Sequence, residues 1–444
     1  MKSLGMPKTV GVKGIAVELL RYYVPVDEFA EGRGLNVDKL RKGLGIEGVS
    51  VPAENQTTVT LAAECVRKLK EELDVLDEGK VKSITFVTEE ARWGQNRAWE
   101  LIGRTRRDGI DLRKAASTTT MATCSPFPIE LTKAFGRCEL AKRRGKEHDA
   151  LIIASDISRY PHGVGEETGG GGATAWLLGI GDEDELIATL DKPNVGYTNF
   201  VPDWFRDNQG LPIFDGQLSL LSYNLAIHRA VERFKEEHDI PSLLNFVGNG
   251  VLALHRSGTH YTPKCAFALL YGIERTEDSE LASILDSSER EVENFCDEIL
   301  EAFERDDEDK IEAWQRIVSK NQRRIADLWN ELRTHLKRVR KDPGFQREYD
   351  SKLRPSLEGL EREGNPYSAS TPICAANAMC NKDLRNERIV MVSYGSGASA
   401  NAMSIMVGKD YRDKITDVRE EVRKKQAISF DEYLRIRKER WRLD

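Results

Sequence analysis

Apolar residues recur along this chain at two spacings, and the switch between them marks the elements. Thr9 to Leu20 is rich in Val and Ile at partial period two, which predicts a strand, and a helix-like stretch from Val26 to Gly45 follows it. From Thr58 to Leu76 the residues Leu61, Ala62, Cys65, Val66, Leu69 and Leu73 fall on one helical face, and Lys80 to Thr88 then reads as a strand. This alternation predicts an α/β fold with a layered sheet. Asp149 to Ser155 is a nearly unbroken apolar run, as expected of a strand covered on both faces. Four glycines, Gly169 to Gly172, then open a further strand. The same grammar returns late: Arg388 to Tyr394 is an apolar strand, Gly395-Ser396-Gly397 a turn, and Ala398 to Val407 a strand of small residues. Two such units point to a duplicated fold, with an N-terminal half over 1–182 and a C-terminal half over 183–444. Between the repeats, Glu277 to Glu363 carries amphipathic helical patterning with a strongly charged outer face. It reads as an insertion, at about 277–363, decorating the second half.

Composition narrows the function classes. Of 444 residues, 40% are hydrophobic and 31% charged, so the chain can bury a sizeable core beneath a charged skin. Sixty-six Lys and Arg against 73 Asp and Glu give a net charge of −7, which offers no overall attraction to a phosphate backbone; the basic stretch Arg333 to Lys341 lacks interleaved aromatics. No nucleic-acid partner is expected. The seven cysteines form no CxxC pair, the pattern of free thiols in a reducing compartment. No apolar run approaches the roughly 18 residues of a membrane span, and Met1 to Gly5 does not begin a signal peptide, so a cytoplasmic protein with no membrane partner is expected. The seven histidines contain no HExxH and no ligand-spaced cluster, so no metal is implied. The glycine spacings match neither a dinucleotide nor a P-loop signature.

Candidate chemistry collects where strands end. Cys124 follows a β-branched run and precedes Ser125-Pro126-Phe127-Pro128, after which a helical pattern runs to Arg143. A sulfur at that helix's N-terminus would have its thiolate stabilised and its pKa lowered; read alone, a buried structural thiol is the competing assignment. Glu89 and Glu90 end the strand before it, where α/β sites form, and either is a candidate general base or a solvated acid. His255 ends the run Gly250 to Leu254, with His260 its nearby competitor. Asp156 and Tyr160 follow the strand from Asp149, close to the glycines.

Taken in order, these pieces resemble the 3-hydroxy-3-methylglutaryl-CoA (HMG-CoA) synthase family of the thiolase superfamily. The resemblance covers most of the chain. It rests on Thr88-Glu89-Glu90, Cys124, Asp156-Ile157-Ser158-Arg159-Tyr160, Thr168 with its glycines, Phe214-Asp215-Gly216, His255, Gly364-Asn365-Pro366-Tyr367, Ser393-Tyr394-Gly395-Ser396-Gly397 and the segment from Ile428. It implies the thiolase fold, layered α-β-α-β-α from two related halves, and a buried site between them. It implies that Cys124 accepts an acetyl group from acetyl-CoA, that Glu89 deprotonates the acetyl methyl, and that His255 stabilises oxygen during attack on acetoacetyl-CoA. Asp156, Tyr160, Thr168, Asp203, Lys264, Asn365, Tyr367 and Ser396 would bind substrate. Asn199 competes with Asp203 for its place. CoA would enter only as part of the substrates, with no separate cofactor. A homodimer, an acetoacetyl-CoA thiolase partner and a place in the mevalonate pathway complete the expectation. The Ser125-Pro126 loop departs from the small or Gly-rich residues usual in the family. A ketoacyl synthase III-like or thiolase-like enzyme, or a non-catalytic thiolase-fold scaffold, are the alternatives.

Overall fold

The computed structural model describes residues 8–89, 96–163, 165–206, 211–276, 278–305 and 309–441. Its centre is a ladder of nine strands: β1 (Thr9–Leu19), β2 (Val81–Thr88), β3 (Ala116–Met121), β4 (Asp149–Ser158), β5 (Gly170–Gly181), β6 (Ala188–Val201), β7 (Val251–Leu254), β8 (Arg388–Gly395) and β9 (Gly397–Val407), in the order β7-β8-β9-β6-β1-β5-β4-β2-β3. The order contains an internal repeat. Outward from the middle, β1 pairs antiparallel with β5, β5 antiparallel with β4, and β4 parallel with β2. On the other side β6 pairs antiparallel with β9, β9 antiparallel with β8, and β8 parallel with β7. The first half carries one more parallel strand, β3. The halves meet through Gly11↔Thr189 and Val12↔Ala188 of β1 and β6.

Helices complete the layers. We label Thr58–Glu71 α1, Phe127–Arg143 α2, Gly216–Glu237 α3, Tyr261–Arg275 α4, Ser279–Phe303 α5, Lys310–Val339 α6 and Ser370–Asn381 α7. α1 starts at a capping box in which Thr57 and Thr60 satisfy each other's backbone amides, and it packs on β1, β4 and β5. α3 covers β6, β8 and β9. α2 and α7 touch strands of both halves and form the middle layer. Position dictates their composition. α7 is buried from Ser370 to Cys380, and such a helix has no polar stripe to spare, which its run of Ala, Cys, Ile and Met reflects.

Two expectations change. The stretch Val26 to Gly45 is a helix only to Arg33: Gly34 takes a left-handed φ of 64°, ends the helix, and a separate turn runs from Lys39 to Leu44. The charged region is no loose decoration. Leu281, Phe295, Trp314, Ile325 and Trp329 of α5 and α6 belong to the main core, and α6 packs on α3 and α4. Its charges face outward while its apolar stripe is built into the second half. Among the described residues no helix is long and apolar enough to cross a membrane.

Candidate active site

Parallel pairing of β2 with β3, from Ser83↔Ala116 to Thr88↔Met121, brings the carboxyl ends of both strands together, so Glu89 and Cys124 meet although they are 35 residues apart. The Cys124 thiol donates to Glu89 Oε2 at 2.8 Å. Glu89 Oε1 lies 3.2 Å from Arg206 Nη2. Burial pushes the Glu89 carboxyl above its ordinary range, and Arg206 and the thiol pull it back. Cys124 departs from expectation. The helix begins at Phe127 with Pro126 as its N-cap, and burial together with the adjacent Glu89 drives the thiol well above its ordinary pKa. Both influences favour the protonated thiol, which stands in contact with the Glu89 carboxyl.

The loop after Cys124 is held from the other half. The Ser125 carbonyl accepts from Ser393 Oγ at 2.6 Å and from Asn401 Nδ2 at 3.2 Å. Gly395 makes this approach possible, since a Cβ there would stand 2.9 Å from the Cys124 nitrogen and 2.2 Å from Thr123 Oγ1.

His255 ends β7 and extends its ladder, donating its backbone N–H to the Val392 carbonyl at 2.9 Å. Its own carbonyl accepts from Tyr223 OH at 2.7 Å, and its ring lies among Tyr223 and Tyr394. Burial, reinforced by the neighbouring Arg256 cation, lowers the imidazole to about 3, so it is neutral at physiological pH. His260 sits elsewhere. It packs over Gly45, 3.8 Å from Glu361, and does not line the cavity.

Glu89, Cys124, Tyr160, Thr168, His255, Asn365, Tyr367 and Ser396 share one cavity of about 320 Å³, walled also by Trp204, Phe214, Tyr223 and Tyr394. Tyr160 packs edge-on against Phe214 and Tyr367, and burial pushes its phenol up to about 12. Asn365 donates its backbone N–H to the Thr168 carbonyl at 2.8 Å and accepts from the Tyr367 N–H at 3.0 Å, which ties the lining of the two halves together. Tyr160 and Glu166 are braced from behind by the segment Phe430–Ile436 and Arg437. Arg437 donates to the Tyr160 carbonyl at 3.2 Å and pairs with buried Glu166, which also accepts from Tyr433 OH.

Three expected substrate contacts stand behind the lining instead. Asp156 is wholly buried: Oδ1 accepts from Thr88 Oγ1 and the Glu89 N–H, and Oδ2 from the Ser368 N–H and hydroxyl, so it fixes the backbone that carries the acid. Asp203 accepts from Ser219, Tyr394 and the Gly397 N–H, and holds the turn that bears Ser396. Its competitor Asn199 bonds to Tyr197 and Glu293, away from the cavity. Lys264 lies over the Tyr349 ring at 4.7 Å, outside the lining. Glu90 falls outside the described residues. Trp204 and Arg206 belong to the run Asp203-Trp204-Phe205-Arg206, which resembles the family's Asp followed by aromatics and an Arg but gave neither residue a role; Tyr223 and Arg256 were not singled out by sequence. One group among the described residues, Asp278, Glu280 and His335, brings three metal-ligand atoms within 4.8 Å of one another, and none of the three lines the cavity.

The model of the hydroxymethylglutaryl-coenzyme A synthase C-terminal family matches residues 334–441. The hydroxymethylglutaryl-CoA synthase of Haloferax volcanii is 26% identical over 420 residues, covering 91% of this chain and 85% of that protein. The cytoplasmic hydroxymethylglutaryl-CoA synthase of Gallus gallus is also 26% identical, over 98% of this chain and 80% of its own length. The solved structure of MvaS in complex with 3-hydroxy-3-methylglutaryl coenzyme A superposes with a TM-score of 0.73 at 22% identity, covering 98% of this chain and 92% of that one, and shares its fold. Over its C-terminal residues by family model, over most of its length by sequence, and in its fold, the chain is similar to HMG-CoA synthases.

Proposed function

We propose that this chain is an acyltransferase that condenses acetyl-CoA with acetoacetyl-CoA, giving 3-hydroxy-3-methylglutaryl-CoA and free CoA. The observation that carries the reading is the 2.8 Å contact between a buried thiol and a buried carboxylate in a cavity shared with a neutral imidazole.

The residues suggest a three-stage cycle. Cys124 attacks the acetyl thioester, its proton passing through Glu89 to the departing CoA thiolate, and an acetyl-cysteine remains. Glu89 then removes a proton from the acetyl methyl, and the carbanion equivalent adds to the ketone carbon of acetoacetyl-CoA. His255, neutral by virtue of its burial, has an N–H to offer the developing alkoxide, which takes up one proton. Water finally hydrolyses the cysteine thioester, returning the thiol. The low-polarity walls Trp204, Phe214 and Tyr223 strengthen each of these electrostatic contacts. Tyr160, Thr168, Asn365, Tyr367 and Ser396 would hold the acyl groups, and Lys264 would serve the CoA phosphates from outside the lining.

No cofactor beyond substrate-borne CoA enters this cycle. A cytoplasmic homodimer, supplied with acetoacetyl-CoA by a thiolase and acting in the mevalonate pathway, is the setting we assign. The test is CoA release from acetyl-CoA with and without acetoacetyl-CoA, with peptide mapping of radiolabel from acetyl-CoA. Label on Cys124 and CoA release stimulated by acetoacetyl-CoA are expected; a wild-type protein that neither takes up label nor releases CoA would leave the scaffold reading in its place.

A further inference from the structure

Glu89 is the one acid in the reacting contact, and the group that faces its second oxygen comes from the far half of the chain. Arg206 lies on a short ribbon, Trp204–Arg206 paired with Pro212–Phe214. Its guanidinium sits 3.2 Å from Glu89 Oε1, 4.7 Å from the centre of the Trp204 ring and 5.8 Å from that of Tyr367. The ribbon is propped from outside. Phe205 packs edge-on against Phe303 of α5 at 5.6 Å and Trp314 of α6 at 5.5 Å, and Trp314 Nε1 donates to the Pro202 carbonyl at 2.6 Å.

We infer that Arg206 is a positioning residue for the reaction proposed above: it holds Glu89 ionised and aimed at the cysteine-bound acyl group, and the helical pair α5–α6 acts on the site by bracing the ribbon that carries it. The inference rests on the proposed condensation. The physical reason is a conflict at Glu89. A carboxylate with 8% of its side chain exposed is driven toward the protonated form, which cannot abstract a proton; an opposite charge within about 4 Å of it restores the anion by one to three pH units. Arg206 keeps 29% of its side chain in solvent, which weakens that attraction and places the effect at the lower end of the range. Both rings flanking the guanidinium also line the cavity, so acyl substrate packed against Trp204 and Tyr367 would dry the ion pair further.

The experiment is the pH profile of condensation for the wild type, Arg206→Gln, Arg206→Lys and Trp314→Leu, each checked for Cys124 acetylation and a cooperative melt. In Arg206→Gln the acid limb of kcat should move up by about one pH unit, so that below it the rate falls about tenfold while acetylation at high pH persists. Arg206→Lys, a cation with shorter reach and no fork, should move it by a smaller step. Trp314→Leu should move it in the same direction. A uniform fall in rate with an unmoved acid limb, in whichever Arg206 variant folds, overturns the inference. A wild type with no acetoacetyl-CoA-dependent CoA release fails the proposed function instead, so the two failures are told apart.

Discussion

The two halves of the sheet put different chemistry at the same place. β2 and β7 hold equivalent positions, each the parallel neighbour of β4 or β8, and the residue that leaves β2 is Glu89 while the one that leaves β7 is His255. Both are buried, and burial alone disfavours the charged form of each. Their neighbours separate them. Arg206 opposes the burial of the carboxyl, whereas Arg256, a like charge, adds to that of the imidazole. One scaffold position thus carries an acid whose burial is opposed by a cation and an imidazole whose burial is reinforced by one, a contrast that matched environments would not give.

The strongest way to break this comparison is to remove the thiol that shares a cavity with both groups. Cys124→Ala should abolish acetyl transfer and lower overall turnover by about 10⁴-fold or more; radiolabel uptake from acetyl-CoA checks it, and label persisting at another cysteine would dismiss the residue. Next come the halves themselves. Glu89→Gln should reduce condensation by about 10²- to 10⁴-fold while Cys124 acetylation continues at high pH, and His255→Gln should reduce condensation without moving the acid limb, since the imidazole is uncharged across it. If His255→Gln shifted the limb as Arg206→Gln is expected to, the two ends would not be distinct in charge.

Stability against pH sharpens the same contrast. An imidazole at about 3 in the folded protein and about 6.5 unfolded binds fewer protons when folded, so stability rises with pH through that window and is lost as pH falls from 6.5 toward 3. His260, also lowered to about 3, adds to the slope. Replacing His255 with Gln should lessen the loss between pH 6.5 and 5 by about 2 kcal/mol, read from denaturant unfolding at each pH; an unchanged slope would mean that the ring is charged when folded. A further effect is expected at the seam. Gly395→Ala places a methyl against Thr123 and the Cys124 amide and should cost about 1–3 kcal/mol, with slower acetylation.

Much of this arrangement could be read from the chain. Strands such as Asp149 to Ser155 are legible because burial on both faces leaves an apolar run, and the strand-glycine-strand repeat anticipates the matched pairing of β4 with β5 and of β8 with β9. The positions that follow strand ends, Glu89 and His255, were visible for the same reason. What stayed hidden depends on contacts distant in sequence. Position before a helix suggested an acidified thiol at Cys124, but the helix starts three residues later, and burial, together with Glu89 brought in by strand pairing, reverses the shift. Asp156 and Asp203 are polar residues in motifs, and only their hydrogen-bond partners show that they hold up the wall without facing the cavity. Arg206 is 117 residues from Glu89, and nothing in the periodicity of α5 and α6 says which surface their apolar stripe meets.

The brace at Arg437 and Tyr433 has a consequence for the order of assembly. Cys124 and Glu89 lie early in the chain and can meet as soon as β2 and β3 pair, but Tyr160 and Glu166 gain their outer support only once the segment 430–437 has docked. A nascent chain therefore holds a reactive pair without a finished enclosure until synthesis has passed that segment, and the enzyme's capacity to retain an acyl group is among the last properties it acquires.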